Sequence, residues 1–250
     1  MRKFSFFLFI VLLSGIFQLS SPTTSGAQDP SKKPSEYYQV NVYHLATKAD
    51  LDTLDQFFKS SYIPQLHQAG LKDIGVFYPI TNDTSKDKRI IVWIPLKSLK
   101  DLGKINPNRS CPRYGRLETN LMSAFVDAPH YKMPVLKGDH LSHIYELRSY
   151  ESLTEDKYLQ KVKMFNAGGE VKLFDRLQFN AVFYAHVIAG ARMPNLIYMT
   201  SFDDITSRDA HWKTFVEDPE WKRISTLPEY LKTVSKADII LMHAAAYSDL

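Results

Sequence analysis

Three segments of this 250-residue chain return later in the sequence at nearly the same spacing. The run Asp73-Ile74-Gly75-Val76-Phe77-Tyr78-Pro79-Ile80 shares its pattern with Phe179-Asn180-Ala181-Val182-Phe183-Tyr184-Ala185-His186, 106 residues on. Ile91 to Leu99 parallels Ile197 to Ile205 at the same offset, and Val40 to Leu45 falls opposite Ile144 to Ser149 at 104. Near-constant offsets imply two copies of one structural unit, and a repeat of this kind decides the architecture before any single element does.

Each copy reads as strand, helix, strand, strand, helix, strand. In the first, Tyr37 to Leu45 is rich in β-branched and aromatic residues. Thr47-x-x-Asp50 then opens a helix with Leu51, Leu54, Phe58 and Tyr62 at helical spacing, and Pro64 bends or restarts it. In the second copy Ser152-x-x-Glu155 opens the helix, Leu159, Val162, Phe165 and Leu173 carry its apolar face, and Gly168-Gly169 marks a break. Hairpin connections fall at Thr81 to Lys88 and at Ala189 to Asn195. A helix follows around Arg208 to Phe215, Asp218-Pro219 supplies an N-cap with proline at the first helical position, and Ala237 to Ala246 closes the copy as a strand. Copy one closes at Leu121 to Val126.

This order is the ferredoxin-like plan, with helices on one face of a four-stranded antiparallel sheet. One helical layer leaves the other face bare, and two copies in one chain cover each other. The expected fold class is therefore α+β: two tandem ferredoxin-like (βαββαβ) units packed as an intramolecular dimeric α/β barrel, with further homodimerisation left open.

Met1-Arg2-Lys3, an apolar-rich run from Phe4 to Phe17 and the small residues Ser25-Gly26-Ala27 form an export signal with cleavage after Ala27. The run, about 14 residues, falls short of the roughly 20 that a permanent span needs, so no membrane anchor is expected after cleavage. The expected domains are a signal at 1–27, a polar tether at 28–36, an N-terminal unit at 37–127, a linker at 128–142 and a C-terminal unit at 143–250. The location is periplasmic or extracellular. Cleavage removes Arg2 and Lys3 from 31 basic residues and none of the 27 acidic ones, leaving +2. That balance points away from nucleic acid as a partner. Cys111 is the single cysteine, so no intrachain disulfide forms; its Asn108-Arg109-Ser110-Cys111-Pro112 context reads as a loop thiol.

The run Ile144-Tyr145-Glu146-Leu147-Arg148-Ser149-Tyr150, the strand Asn195 to Asp203, the following Arg208, and Asp218-Pro219-Glu220-Trp221 resemble the NIPSNAP family of the dimeric α/β-barrel superfamily. The match spans His143 to Leu250. Copy one lacks these motifs, with His44 opposite Arg148, and looks like the diverged N-terminal partner unit of two-domain bacterial members. The resemblance implies a fold and not a reaction, since the superfamily holds haem-degrading and quinol monooxygenases, isomerases and pure binding units.

Strand alternation puts Ile144, Glu146, Arg148 and Tyr150 on one face and His143, Tyr145, Leu147 and Ser149 on the other. Glu146 and Arg148, on a sheet covered on both sides, must pair with each other or across it. Arg148 either binds an anionic or carbonyl group of a ligand or belongs to a structural ion pair. Val182, Tyr184, His186 and Ile188 share a face, so His186 is a candidate general base or ligand with Tyr184 beside it. His186, Tyr184 and Arg148 are the catalytic candidates; Glu146, Arg148, Tyr184, His186, Tyr198 and His243 are the ligand-binding candidates. No HExxH or HxH spacing marks a metal site, no cofactor is expected, and no glycine-rich phosphate loop or GxSxG is present. Trp212 and Trp221 read as packing anchors. The leading functional expectation is a module that binds a small hydrophobic or aromatic ligand in an inter-sheet or sheet-helix cavity, or that docks a protein. The alternatives are a cofactor-poor monooxygenase or isomerase acting on an aromatic or polyketide-like substrate, and a haem-handling protein.

Overall fold

The computed structural model describes residues 35–105 and 110–250. The export signal and nearly all of the tether lie outside the described residues. In chain order the strands are Tyr37–Leu45 (β1), Gly75–Pro79 (β2), Lys88–Leu96 (β3), Arg116–Ala124 (β4), Ile144–Glu151 (β5), Phe183–Ala189 (β6), Asn195–Phe202 (β7) and Lys236–Ala244 (β8). The α-helices are Lys48–Phe57 (α1), Ile63–Gln68 (α2), Glu155–Phe165 (α3), Glu170–Arg176 (α4), Ile205–Glu217 (α5) and Pro219–Ser225 (α6). The strands form a closed barrel, β1-β3-β2-β8-β5-β7-β6-β4, antiparallel at every step. Strands β1 to β4 are neighbours in it, as are β5 to β8. Two short seams join the halves: Phe77–Pro79 against Met242–Ala244, and Leu121–Ala124 against β6 across a register shift.

Alternation along the strands sorts side chains between the lumen and the helical layers outside. Tyr38, Val40 and Val42 of β1, Trp93 of β3, Tyr145 and Leu147 of β5 and Phe183 of β6 fill the lumen. Trp93 stacks on Phe183 at 5.6 Å, Tyr38 lies 5.1 Å from Phe183, and Phe77 lies 4.9 Å from Tyr145. Each contact with Phe183 or Tyr145 crosses from one half to the other, so the halves share one core. At roughly 1.5–3 kcal/mol per fully buried large apolar side chain, this core is a main source of barrel stability. These side chains occupy much of the inter-sheet space between the halves. The connection between halves is more than a linker: Tyr131 meets Trp93 edge-on at 5.3 Å, its hydroxyl donates to Asp73 (2.5 Å), and Leu136 packs on the lumen cluster.

Local signals explain most helix ends. The Thr47 hydroxyl accepts from Asp50 N at the start of α1. Pro64 cannot donate to the carbonyl four residues back, and the chain absorbs this in a π turn over Phe58–Tyr62 before α2 begins. Gly169 at φ 94° separates α3 from α4, a backbone conformation that favours glycine. Asp218 caps α6 with Pro219 at its first position.

Several expectations are corrected. The cap of α3 is Thr154, which accepts from Lys157 N, because the buried Ser152 hydroxyl is drawn away to donate to Thr233 O (2.7 Å). Leu159 is exposed, and Tyr158, Lys161 and Phe165 take the inner face of α3. Val182 joins the lumen cluster rather than the face of Tyr184. β4 begins at Arg116, five residues before Leu121. Between β3 and β4 the described residues hold only a 3-10 turn, Leu99–Lys104, where the second half has α5 and α6. The offset of the first strands also changes. Asn41 pairs with Val92 and Arg148 with Tyr198. Val92 and Tyr198 differ by the repeat's 106, so Asn41 matches Arg148 at 107. The spacing of 104, which set His44 against Arg148, would put matching side chains on opposite faces.

Candidate functional site

Two polar centres occupy equivalent places on the outer faces of the two halves. In the C-terminal half the centre is built on Glu146, whose side chain is fully buried. Arg148 Nε donates to Glu146 Oε1 (2.6 Å), Arg208 Nε to Oε2 (2.8 Å), Arg208 Nη2 to Oε1 (3.1 Å) and Trp212 Nε1 to Oε2 (2.8 Å). The register of β5 places Glu146 and Arg148 two residues apart on one face, and α5 delivers Arg208 and Trp212 one turn apart above them. The Arg148 guanidinium lies 3.6 Å from the Trp212 ring centre and donates to the Tyr150 hydroxyl (2.9 Å), which is hydrogen-bonded to the Tyr198 hydroxyl (3.0 Å). Burial alone would raise the Glu146 carboxyl, but Arg208, Arg148 and Trp212 together hold it below the usual carboxylate range. A second buried pair, Lys161 Nζ to Glu170 Oε2 at 2.9 Å, joins α3 to α4, with the ammonium 4.6 Å from the Phe165 ring.

The other residues singled out in the sequence fall around this centre or away from it. Tyr184 stacks on Tyr198 at 5.7 Å; its hydroxyl is buried without a partner among the described residues and its pKa is pushed well up by burial. His186 Nδ1 is hydrogen-bonded to the Tyr158 hydroxyl (2.8 Å) and packs on Phe125 at 4.8 Å; burial lowers its pKa and keeps the ring neutral at pH 7. His243 stands apart at the β2–β8 seam, opposite Tyr78, with Nδ1 3.0 Å from His143 O. Trp221 packs on Phe215 at 4.5 Å, a packing role like that of Trp212. No group of three or more metal-ligating side chains occurs among the described residues.

In the N-terminal half the residues matching Glu146, Arg148 and Tyr150 are Gln39, Asn41 and Tyr43, by the 107-residue equivalence. They form the floor of a cavity of about 210 Å³. Gln39 Nε2 donates to Asn41 Oδ1 (3.0 Å), and the Thr119 hydroxyl donates to the same oxygen (2.8 Å). A neutral amide pair thus stands where the other half has an ion pair. The wall is aromatic: the π turn after α1 stacks Phe57 on Tyr62 (6.1 Å), and Tyr114 meets Tyr43 edge-on (5.3 Å). Burial raises the Tyr43 hydroxyl, pushes Tyr62 up to about 12 and raises the Cys111 thiol, so all three stay neutral. Among the described residues, the 3-10 turn after β3 provides no counterpart to Arg208 and Trp212 over this cavity. The sequence reading missed this site through the choice of offset; the polar outward positions Gln39 and Asn41 on a strand with apolar inward ones were the signal available.

Among curated proteins none matches the chain in sequence. Solved structures similar over most of its length include a candidate monooxygenase of Lactobacillus acidophilus NCFM, at TM-score 0.58 and 8% identity over 84% of this chain and 94% of that one. A second candidate monooxygenase, from Fusobacterium nucleatum subsp. nucleatum, has TM-score 0.57 and 8% identity over 84% and 92%. An anthrone oxidase-like protein has TM-score 0.57 and 10% identity over 86% and 93%. At these identities the likeness is one of fold. Residues 145–249, which contain Glu146, Arg148, Arg208 and the Asp218 cap, match the NIPSNAP family model, so the C-terminal half of the chain is similar to that family.

Proposed function

We propose that this protein is an exported small-molecule-binding barrel in which the N-terminal half holds the ligand and the NIPSNAP half is its scaffold. The observation that carries the reading is the difference between the two matching centres. Around Glu146 every strong donor is committed to a neighbour and Trp212 fills the space above. Around Asn41 the same position opens into a cavity with buried polar groups at its floor, the ordinary form of a small-molecule site.

The division of the chain follows this reading: a cleaved signal at 1–27 directs export to the periplasm or medium, 28–36 is a tether, and 37–127 and 143–250 are two ferredoxin-like units joined through 128–142. The strand order supports the pair, since β4-β1-β3-β2 and β8-β5-β7-β6 are the same arrangement twice. An isomerase or monooxygenase would instead work through Arg148, Tyr184 and His186. That rival meets the engagement of Arg148 with Glu146 and Tyr150 and of His186 with Tyr158.

Native mass spectrometry of the mature chain from an exporting host tests the proposal. Thr119 is exposed at the cavity mouth, so Thr119→Trp blocks it without touching the core. The expected result is a small-molecule adduct on the wild-type chain that disappears in Thr119→Trp and persists in His186→Ala. An adduct that survives Thr119→Trp places the ligand elsewhere, and a clean apo mass for the wild type favours a protein-docking role.

A further inference from the structure

Asn41 is 3% exposed and Gln39 9% exposed, and both line the cavity of the N-terminal half. The Asn41 amide is oriented by its neighbours: Oδ1 accepts from Gln39 Nε2 and from the Thr119 hydroxyl, which occupies both of its lone pairs. Its Nδ2 is left with no hydrogen-bond partner among the described residues, and so is Gln39 Oε1. Both atoms face the cavity, so an occupant that displaces water from them and supplies a partner is selected over an occupant that does not.

None of the described residues lining the cavity carries a charge, and its phenols and thiol are held neutral by burial. A charged ligand would shed water there without gaining a counter-charge. The rings of Tyr43, Phe57, Tyr62 and Tyr114 present faces and edges suited to a flat aromatic partner. Size narrows the choice further. An apolar cavity of about 150 Å³ holds benzene, so about 210 Å³ holds one ring with a small substituent.

Resting on the proposed binding role and deepening it, we infer that the N-terminal cavity takes an uncharged single-ring aromatic bearing a carbonyl, whose oxygen accepts from Asn41 Nδ2. The aromatic walls hold the ring, and Gln39 Oε1 remains available to a hydroxyl beside the carbonyl. No bond is made or broken.

Cys111 lines the same cavity and is the chain's single thiol, which makes it an internal reporter. The experiment measures the rate at which iodoacetamide alkylates Cys111 in the mature chain, with acetophenone, isopropylbenzene or benzoate present. Acetophenone should protect the thiol saturably. Isopropylbenzene, which has the same number of heavy atoms but no acceptor, should need about tenfold more, the effect of one hydrogen bond. Benzoate should give no protection. In Asn41→Leu, acetophenone and isopropylbenzene should protect alike. Equal protection by the two in the wild type, or protection by benzoate, overturns the carbonyl-bearing neutral class and leaves the cavity as a binding site. Failure of all three to protect overturns the class and the cavity reading together.

Discussion

Glu146 accepts four hydrogen bonds in a site closed to water, and its contribution to stability is therefore tied to its charge. In the fold its carboxyl lies below its ordinary value of 4.5, whereas the unfolded chain protonates near that value. The stabilisation is accordingly full above about pH 4.5 and is lost as pH falls through the depressed folded-state value. Glu146→Gln should cost about 3 kcal/mol at pH 7, because it leaves two guanidinium groups facing an amide. Denaturant melts over a pH series should show the gap between wild type and Glu146→Gln shrinking below about pH 4.5; a gap independent of pH contradicts the charged network. The pairing of Glu146 with Arg148 was legible from strand alternation alone. The donors Arg208 and Trp212 were not, because their contact depends on how α5 crosses the sheet 60 residues later in the chain.

Among elements, the segment after β8 fastens the β2 edge. Asp249 Oδ2 accepts from Ile74 N (2.7 Å) and lies 2.8 Å from His67 Nε2, while the Ser248 hydroxyl oxygen accepts from Val76 N (3.0 Å). Ala245 N donates to Val76 O (2.8 Å) and Asp249 N to Ile74 O (3.0 Å), and the Tyr247 hydroxyl reaches Asp55 beside Tyr78. Deleting Ser248–Leu250 should expose the amides of Ile74 and Val76 to hydrogen exchange and lower the melting temperature by several degrees. Unchanged protection at these two amides would show that Ser248–Leu250 does not fasten this segment. Element types were readable from apolar period and caps, and the errors have local causes. Ser152 resembles a cap in sequence, but a distant carbonyl, Thr233 O, claims its hydroxyl. Where a helix is expected before β4, the described residues hold a 3-10 turn, and the sequence beyond it carries Pro107 and Pro112, which do not favour a helix.

For the whole molecule, the repeat foretold a barrel, since two half-covered sheets bury their bare faces only against each other. It did not foretell that the halves would diverge in chemistry at matching positions, because that depends on what the N-terminal half lacks. One unit keeps a charged, filled centre and the other a neutral, open one, and this asymmetry is the core of the account. Melting temperature and acetophenone affinity, measured side by side for Asn41→Leu and Arg148→Met, test it most directly. Asn41→Leu should melt close to the wild type and bind acetophenone about tenfold more weakly. Arg148→Met should cost about 2 kcal/mol and melt roughly 4–8 °C lower, with affinity unchanged while folded. If Arg148→Met loses acetophenone at an unchanged melting temperature while Asn41→Leu binds normally, the ligand belongs to the C-terminal half and the assignment of roles is reversed.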